Sequence, residues 1–294
     1  MIEDIQSPID IHDELDISTS EVQQLFNQLL PKAEGPESQV IDAVRYAIAG
    51  AHGLRSFLAI QTGHLFDVDR IPLLRIGAAI ECAHASFLVR EDLPSLGNRG
   101  KRRGRSTIHV VFDEPTAILT ADALQAIAFE ILVDEETHPD PHIRCELIER
   151  LTKTVGRDGL VGGQMISLRA QQIKPHIGTI TRLQRLKTGS LISFACLSGA
   201  IVGRASQESC HALETFAHDL GLAMQVIEDL AEAGKAGGAE EGASKATFVS
   251  LLGPERAQEQ AQLLAEQAKV HLEPFDEKAA FLREVCNFVL TGQQ

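Results

Sequence analysis

The stretch PLLRIGAAIECAHASFLV (72–89) is the most continuous apolar segment of the chain and decides the fold class. At 3.6 residues per turn, one side carries Leu74, Ala78, Cys82, Ala85 and Val89, and another side carries Ile76, Ile80 and Phe87. A helix that is apolar nearly all round is buried inside a protein, because no face of it is suited to water. The stretch therefore predicts a central helix around which the other elements pack.

The composition of the 294-residue chain favours helices elsewhere as well. Hydrophobic residues make up 44% and charged residues 23%, which is the balance of a globular protein. There is no Trp and only one Tyr, and the apolar residues are mainly Leu, Ala and Ile, which favour helices over sheets. The sequence has no internal repeat and no clear domain boundary, so we expect one all-α domain.

Apolar residues recur at helical spacing along most of the remaining chain. The predicted helices cover about 19–30, 38–50, 54–65, 113–134, 140–157, 176–203, 207–232, 254–272 and 276–291. Residues 1–18 are acidic, carry Pro8 and lack an apolar stripe, so we expect an acidic N-terminal arm followed by a helical domain over 19–294. Proline and glycine are so frequent over 93–106 that we expect no regular structure there, and 233–244 is typical of a linker.

The charge and cysteine content narrow the possible partners and the compartment. A net charge of -14 argues against nucleic-acid binding, which needs clustered Lys and Arg. The five cysteines are scattered without zinc or redox spacing, which indicates a reducing compartment. No secretory signal opens the chain and no apolar run of about 18 residues is free of charge, so we expect a cytoplasmic protein without a membrane span.

Two acidic patches follow long apolar helices. Glu91 and Asp92 end the central helix, and Glu228, Asp229 and Glu232 end the helix over 207–232. If the patches face each other across a cavity, their carboxylates suit Mg²⁺, whose shell is completed by water and substrate phosphates. The alternative is that each patch is simply a solvated helix end.

Cations in loop-like surroundings could bind a diphosphate between these patches, because guanidinium groups pair well with phosphate oxygens. They are Arg55, Arg102, Arg103 and Lys187. Lys101, Arg102, Arg103 and Arg105 also form a basic run in an otherwise acidic chain, which indicates either a small anionic ligand or a solvated loop.

Five segments together resemble one known family. The run AIECAHASFLVREDLPSLGNRGKRRGRSTIHVVFDEPTAILTADAL (79–124) is similar to the first aspartate-rich region of trans-isoprenyl diphosphate synthases, the polyprenyl synthetase family, above all its bacterial farnesyl diphosphate synthases. The family's later landmarks follow in order as GLVGGQM (159–165), LKTGSLI (186–192), QVIEDLAE (225–232) and SKATFVSLLGPERA (244–257). Five landmarks in the right order are far more specific than any one of them.

The resemblance implies an antiparallel helical bundle around a central apolar cavity, of the isoprenoid synthase type. It implies a homodimer in which Mg²⁺, up to three ions, holds an allylic diphosphate for condensation with isopentenyl diphosphate. The residues that match the family's catalytic positions are Lys187, Thr188 and Gln225. Those that match its substrate-binding positions are Arg55, His84, Arg102, Arg103 and Lys187. Those that match its metal-binding positions are Glu91, Asp92, Glu228, Asp229 and Glu232.

The sequence also departs from the family pattern. Gly97 stands where the first motif has its third aspartate, and His52 and Gly53 stand where the isopentenyl site has a lysine and an arginine. Two functions therefore stay open: a short-chain prenyltransferase with altered metal motifs, or a catalytically impaired paralogue that binds prenyl diphosphates or acts as a regulatory subunit of an active synthase. The three carboxylates of the second motif favour the enzyme.

Ser86 and Phe87, one turn before the first motif, leave the product length open.

Overall fold

The computed structural model describes residues 10–30, 32, 34–170, 177–235 and 247–292. The longer helices are α1 (Ile11–Leu29), α2 (Ser38–Ile48), α3 (Leu54–His64), α4 (Arg70–Asp92), α6 (Glu114–Val133), α7 (Pro141–Val155), α8 (Leu160–Ala170), α9 (Ile177–Gln184), α10 (Ser190–Val202), α11 (Gln207–Lys235), α13 (Pro254–Val270) and α14 (Ala280–Leu290). Short helices are α5 (Ile108–Val111) and α12 (Phe248–Leu252), with a 3₁₀ segment at Glu273–Ala279. The all-α helical bundle predicted from the sequence is confirmed.

Helix α4 is the centre of the bundle. It packs against α1, α3 and α6, and most of its residues from Leu73 to Asp92 are buried. On its α3 side, Gly77 is needed because a Cβ there would lie 2.9 Å from the Cβ of Ser56. The predicted central helix is thus confirmed, and its C-terminal end carries Glu91 and Asp92 into the interior of the protein.

The first helix begins well before residue 19. Asp10 caps α1 by accepting a hydrogen bond from the backbone N–H of His12, and Ile11, Leu15 and Val22 are buried on one face. Residues 11–18 are therefore helical, and the predicted boundary of the acidic arm at residue 18 was wrong. The apolar stripe was missed because the polar Ser18 occupies the buried position between Leu15 and Val22.

The loop after α4 contains a small hairpin that the sequence analysis excluded. β1 (Lys101–Arg102) pairs antiparallel with β2 (Arg105–Ser106), joined by Arg103 and Gly104. Both linking residues have positive φ, 51° and 77°, which is the geometry of a two-residue hairpin turn. Glycine at 104 thus makes a turn between strands here, whereas the density of glycines suggested an irregular loop.

The predicted helix over 176–203 is interrupted in its middle. Arg185–Gly189 form a π-helical turn between α9 and α10, a wider turn that is frequent at functional sites. Neighbouring helices approach this turn closely through two glycines. A Cβ at Gly163 of α8 would lie 3.1 Å from the backbone nitrogen of Lys187, and one at Gly221 of α11 would lie 3.2 Å from the Cα of Gly189.

Helix α8 was not predicted, because its glycines weaken the helical pattern. The predicted linker over 233–244 overlaps the end of α11, and its residues 236–244 lie outside the described part of the chain.

Helices α4 and α6 are long and apolar enough to cross a membrane by length and composition alone. For α4, burial in the bundle explains this apolar character, since two thirds of its most apolar window lies inside the protein. For α6 one face is solvent-exposed and carries Ile118, Leu119 and Val133.

Candidate active site

The first acidic pair forms a tight ion-pair cluster at the end of α4. The Nε of Arg102 lies 3.0 Å from each carboxylate oxygen of Asp92, and its Nη2 lies 2.7 Å from Oε2 of Glu91. The Nζ of Lys187 donates to the other carboxylate oxygen of Glu91. Both acids are at least 94% buried, so each carboxylate is held by cations in place of water.

The electrostatics of this cluster favour the charged forms. Burial alone would raise the pKa of Glu91, but the ammonium of Lys187 and the guanidinium of Arg102 outweigh it and lower the pKa to about 2. Burial alone would lower the pKa of Arg102, and its hydrogen bonds to Asp92 and Glu91 raise it overall. Glu91 is therefore ionised at any physiological pH.

The loop after the pair folds back onto the end of α4. The backbone N–H of Gly97 donates to the carbonyl of Glu91 at 2.8 Å, and that of Arg99 donates to the carbonyl of Asp92 at 3.1 Å. A Cβ at residue 97 would overlap the carbonyl oxygen of Glu91. This loop conformation leaves no room for any side chain at position 97.

The second motif lies on α11 and is linked to the π-helical turn. Thr188 Oγ1 donates to Gln225 Oε1 at 2.6 Å, and Gln225 Nε2 donates to Asp229 Oδ1 at 2.9 Å. The two neighbouring residues of the turn therefore reach the two motifs: Lys187 contacts Glu91, and Thr188 connects through Gln225 to Asp229. The structure thus brings the two acidic motifs to one site, as the sequence predicted.

Glu228 faces the predicted isopentenyl side of the site. Its side chain is exposed, yet the surrounding protein desolvates the carboxylate and raises its pKa, against the opposing effect of Arg55 and Arg103. Glu232, one turn later, is also exposed.

Arg55 interacts electrostatically with both Glu228 and His84. Burial lowers the pKa of Arg55, the charges of Glu81 and Glu228 oppose that shift, and its buried Nε has no hydrogen-bond partner among the described residues. Burial and the nearby arginines, Arg55 first, lower the pKa of His84 well below its usual value, so its imidazole is neutral at pH 7. Burial raises the pKa of Glu81, which accepts a hydrogen bond from the backbone N–H of Ser56.

Positions 52 and 53 differ in what they could contribute. His52 is exposed near the arginines, and partial burial followed by the charge of Arg103 lowers its pKa. Gly53 has φ +74°, and a Cβ there would overlap the hydroxyl of Thr19 on α1. Helix α1 therefore occupies the space that a side chain at position 53 would need.

Two cavities lie on opposite faces of α4 near its C-terminal end. One, the polar cavity, has a volume of about 90 Å³ and is lined by Asp92, His84, Arg102 and Arg103 among others. The other, the apolar cavity, has a volume of about 210 Å³ and is lined by residues of α4, α6, α7 and α8, including Phe87 and Glu91. Asp92 thus lines the polar cavity and its neighbour Glu91 lines the apolar one, so an apolar ligand in the second cavity would lie beside the carboxylate of Glu91.

The carboxylates offer hard oxygen donors suited to Mg²⁺. Within the described ranges, no three His, Cys, Asp or Glu side chains are close enough together to form a metal site. The residues fit a Mg²⁺ ion whose shell is completed by substrate phosphates, since such ions commonly have only one or two carboxylate ligands. Glu228 is more accessible as a donor than the first pair, because its side chain is exposed and no ion pair within 4 Å joins it to another described residue, whereas Glu91 and Asp92 are paired with cations.

Sequence reasoning missed several residues of the cavity walls. Tyr46 and Arg105 line the polar cavity, and Gln125 lines the apolar one. Arg105 belonged to the predicted basic run without a role of its own, and Tyr46 is the only tyrosine of the chain. Gln125 carries no sequence signal, because α6 approaches α4 only in the folded protein.

Known proteins resemble this chain over most of its length. A family profile described as "Polyprenyl synthetase" matches residues 37–283. The chain is 33% identical over 281 residues to the farnesyl diphosphate synthase of Escherichia coli K12, covering 92% of this chain and 94% of that one. It is 31% identical over 278 residues to the geranylgeranyl diphosphate synthase of Cyanophora paradoxa, covering 92% of each.

The solved structures give the same result. The fold matches the apo crystal structure of an FPP/GFPP synthase from Zymomonas mobilis with a TM-score of 0.89 and 43% identity, covering 95% of this chain and 98% of that one. A geranyltransferase structure from Legionella pneumophila matches with a TM-score of 0.87 and 28% identity, covering 96% and 98%. The resemblance seen in the motifs therefore extends over nearly the whole fold, and the chain belongs to the polyprenyl synthetase family.

Proposed function

We propose that this protein is a Mg²⁺-dependent short-chain trans-prenyltransferase with altered metal motifs. It would condense isopentenyl diphosphate with an allylic diphosphate to a farnesyl- or geranylgeranyl-type product. The observation that carries the proposal is the link between the two acidic motifs through the π-helical turn, where Lys187 contacts Glu91 and Thr188 connects through Gln225 to Asp229. A prenyl diphosphate has a charged head that suits the cations of this site and an apolar tail that suits the apolar cavity beside Glu91.

In the proposed reaction the allylic C–O bond breaks and its electron pair leaves with the diphosphate. The double bond of isopentenyl diphosphate attacks the resulting allylic cation, and loss of a proton gives the longer product. Arg102 and Lys187 would bind the leaving diphosphate by exchanging their contacts with Glu91 and Asp92 for phosphate oxygens. Thr188 and Gln225 would hold Asp229 in position through their hydrogen bonds.

Mg²⁺, when bound by Glu228, Asp229 and Glu232 and by the first pair, supplies positive charge to the departing diphosphate. On the other side of the site, Arg55, His84 and Arg103 would bind isopentenyl diphosphate. A neutral His84 can donate one hydrogen bond to a phosphate oxygen while accepting another. The unpaired Nε of Arg55 is a donor available to the same ligand.

The apolar cavity would hold the growing chain. Phe87 and Arg90 both line this cavity. Arg90 donates hydrogen bonds to Ser86 Oγ at 2.7 Å, Gln125 Oε1 at 3.0 Å and Asp122 Oδ1 at 2.8 Å. This polar network would limit the length of the cavity on the α6 side, and the ring of Phe87 would limit it on the α4 side. Both features support a short product.

A catalytically impaired paralogue is the second candidate, and one observation favours it. Glu91 and Asp92 are already neutralised by Lys187 and Arg102, and no side chain fits at position 97. A metal at the first motif would have to displace both cations. In this case the protein would bind prenyl diphosphates, or regulate an active synthase as its partner subunit, without turnover.

The assembly and the compartment are proposals as well. The exposed apolar face of α6 supports a homodimer, or a heteromer with an active synthase, because apolar faces of this kind commonly mark interfaces. We also propose a cytoplasmic location.

A product assay separates the two candidate functions. Purified protein is incubated with Mg²⁺, labelled isopentenyl diphosphate and dimethylallyl, geranyl or farnesyl diphosphate, and products are resolved by chain length. The proposal predicts an elongated product whose rate falls about 10²-fold in Glu228→Gln, as expected for losing one preorganised charge. Glu214→Gln, an exposed acid on the same helix, should leave the rate unchanged. Binding of a prenyl diphosphate with no product from any primer would contradict the enzyme and support the paralogue.

A further inference from the structure

Arg105 sits in the wall of the polar cavity without an assigned role. It lies on β2 directly opposite Arg102 of β1, so the two guanidinium groups extend from the same face of the hairpin. Two like charges at directly opposed strand positions destabilise a hairpin unless something neutralises them. Arg102 is neutralised by Asp92 and Glu91, whereas Arg105 forms no ion pair within 4 Å among the described residues.

Tyr46 of α2 holds the Arg105 guanidinium in place in two ways. The guanidinium carbon lies 4.3 Å from the centre of the Tyr46 ring, a cation–π distance, and Nη2 donates to the Tyr46 carbonyl at 3.3 Å. The hydroxyl of Tyr46 donates to the carbonyl of Ser106 at 2.9 Å, which fixes the strand that carries Arg105.

Gly50 makes room for this arrangement. A Cβ at that position would lie 2.8 Å from Nη1 of Arg105. Arg103 also approaches Gly50, because its Nη1 lies 3.5 Å from the Gly50 carbonyl oxygen. Arg103 and Arg105, which flank Gly104 in the hairpin, therefore both direct their guanidinium groups toward the end of α2.

The cavity has more positive charge than its own acids neutralise. Arg103, like Arg105, has no carboxylate within ion-pair distance among the residues described. Asp92 is engaged by Arg102, and Glu81 accepts from the backbone of Ser56. Two guanidinium groups with unused donors, beside a neutral His84, form a site for a small polyanion.

We propose that Arg105 is a further diphosphate-binding residue of this protein, and that with Arg103 it binds the diphosphate of the isopentenyl substrate in the polar cavity. Tyr46 is the positioning residue of Arg105. The inference rests on the proposed function for the identity of the substrate. The binding of a diphosphate group itself depends only on the arrangement of the cavity.

Calorimetry with two probes tests the proposal: isopentenyl diphosphate and inorganic pyrophosphate, each without divalent metal. Arg105→Gln should weaken the binding of both about ten- to hundredfold, the range for losing charge-assisted hydrogen bonds. Arg105→Lys should recover part of the loss. Arg150→Gln removes the same charge from the exposed surface of α7 and should leave both affinities unchanged. Thermal unfolding of each variant verifies that it is folded.

Tyr46 gives a second readout. Tyr46→Phe keeps the ring beneath the guanidinium and should retain most of the affinity for isopentenyl diphosphate, whereas Tyr46→Leu removes the ring and should lose several-fold. Unchanged isopentenyl diphosphate binding in Arg105→Gln would overturn the inference and leave the proposed function standing. Pyrophosphate binding that depends on Arg105, in a protein that yields no prenyl product, would support the inference and contradict the proposed enzyme.

Discussion

Lys187 and Thr188 are the residues on which the arrangement of the site depends. They are adjacent in the chain, yet one contacts the first acidic motif and the other is linked to the second. Buried acids such as Glu91 are costly to fold unless cations compensate them, so the ion pairs of Lys187 and Arg102 are needed in the protein without ligand. A diphosphate that recruits these cations must leave Glu91 with another partner, and Mg²⁺ is suited to that role.

The pKa of Glu91 leads to a prediction about stability and pH. Because the folded state lowers this pKa from 4.5 to about 2, the ionised carboxylate stabilises the fold above pH 4.5, and the stabilisation is lost as the pH falls toward 2. Between pH 5.5 and 3.0 this single group should account for about 2 kcal/mol of lost unfolding free energy. The loss should be smaller by that amount in Glu91→Gln than in the unsubstituted protein, as measured by urea unfolding at both pH values.

Glu149→Gln is the matched control, since Glu149 is an exposed acid of α7 paired with Lys153. Its pH dependence should equal that of the unsubstituted protein, because exposed ion pairs contribute little to stability. Equal pH dependence in Glu91→Gln and in the unsubstituted protein would show that the ion pairs at Glu91 do not form in solution.

The side chain of Phe87 gives a prediction about product length. It lines the apolar cavity, so Phe87→Ala should open space for at least one more five-carbon unit and shift the product distribution toward longer chains. The products can be compared by liquid chromatography and mass spectrometry after dephosphorylation. Phe129→Ala removes a half-buried ring on α6 that does not line the cavity and should leave the distribution as it is. An unchanged distribution in Phe87→Ala would place the limit of the cavity elsewhere.

At the scale of elements, the loop between α4 and the hairpin determines what the first motif can bind. Its backbone folds over the end of α4 through the hydrogen bonds of Gly97 and Arg99. The sequence indicated the missing acid at 97 but could not indicate the cause, because the overlap involves a carbonyl six residues away in the chain. The hairpin was missed for a similar reason, since strands of two residues are too short for an alternating pattern.

Gly97→Asp tests whether this loop could accept a carboxylate. The new Cβ would overlap the Glu91 carbonyl oxygen, so the loop must shift, and we expect a loss of about 1–3 kcal/mol of unfolding free energy, typical of overpacking. Mg²⁺-dependent activity should not increase. Gly100→Asp lies in the same loop, where the nearest atom to a Cβ is 4.0 Å away, and should be close to neutral in stability. A stable Gly97→Asp protein with higher activity would contradict this account of the loop.

For the whole molecule, the sequence predicted the helical bundle, its central helix and the meeting of the two motifs. These follow from long apolar patterns and from landmarks in a fixed order. The start of α1, helix α8 and the π-helical turn could not be predicted, because each depends on contacts between distant segments. Gly163 and Gly221 illustrate this: in sequence they resemble helix breakers, and in the fold they allow α8 and α11 to approach the turn.

The exposed face of α6 gives the last prediction, which concerns assembly. Ile118, Leu119 and Val133 are each about half exposed on this helix, and Val110 and Val111 of α5 are exposed beside it in the chain. Apolar residues clustered on one helix face commonly mark an interface, and a two-fold dimer would bury the face of each copy against the other. Leu119→Glu would place a charge in that interface and should convert a dimer into monomers, as measured by sedimentation velocity. Leu263→Glu is the control, because Leu263 is a comparably exposed leucine on α13. If the unsubstituted protein sediments as a monomer, or if both variants remain dimers, α6 does not form the interface.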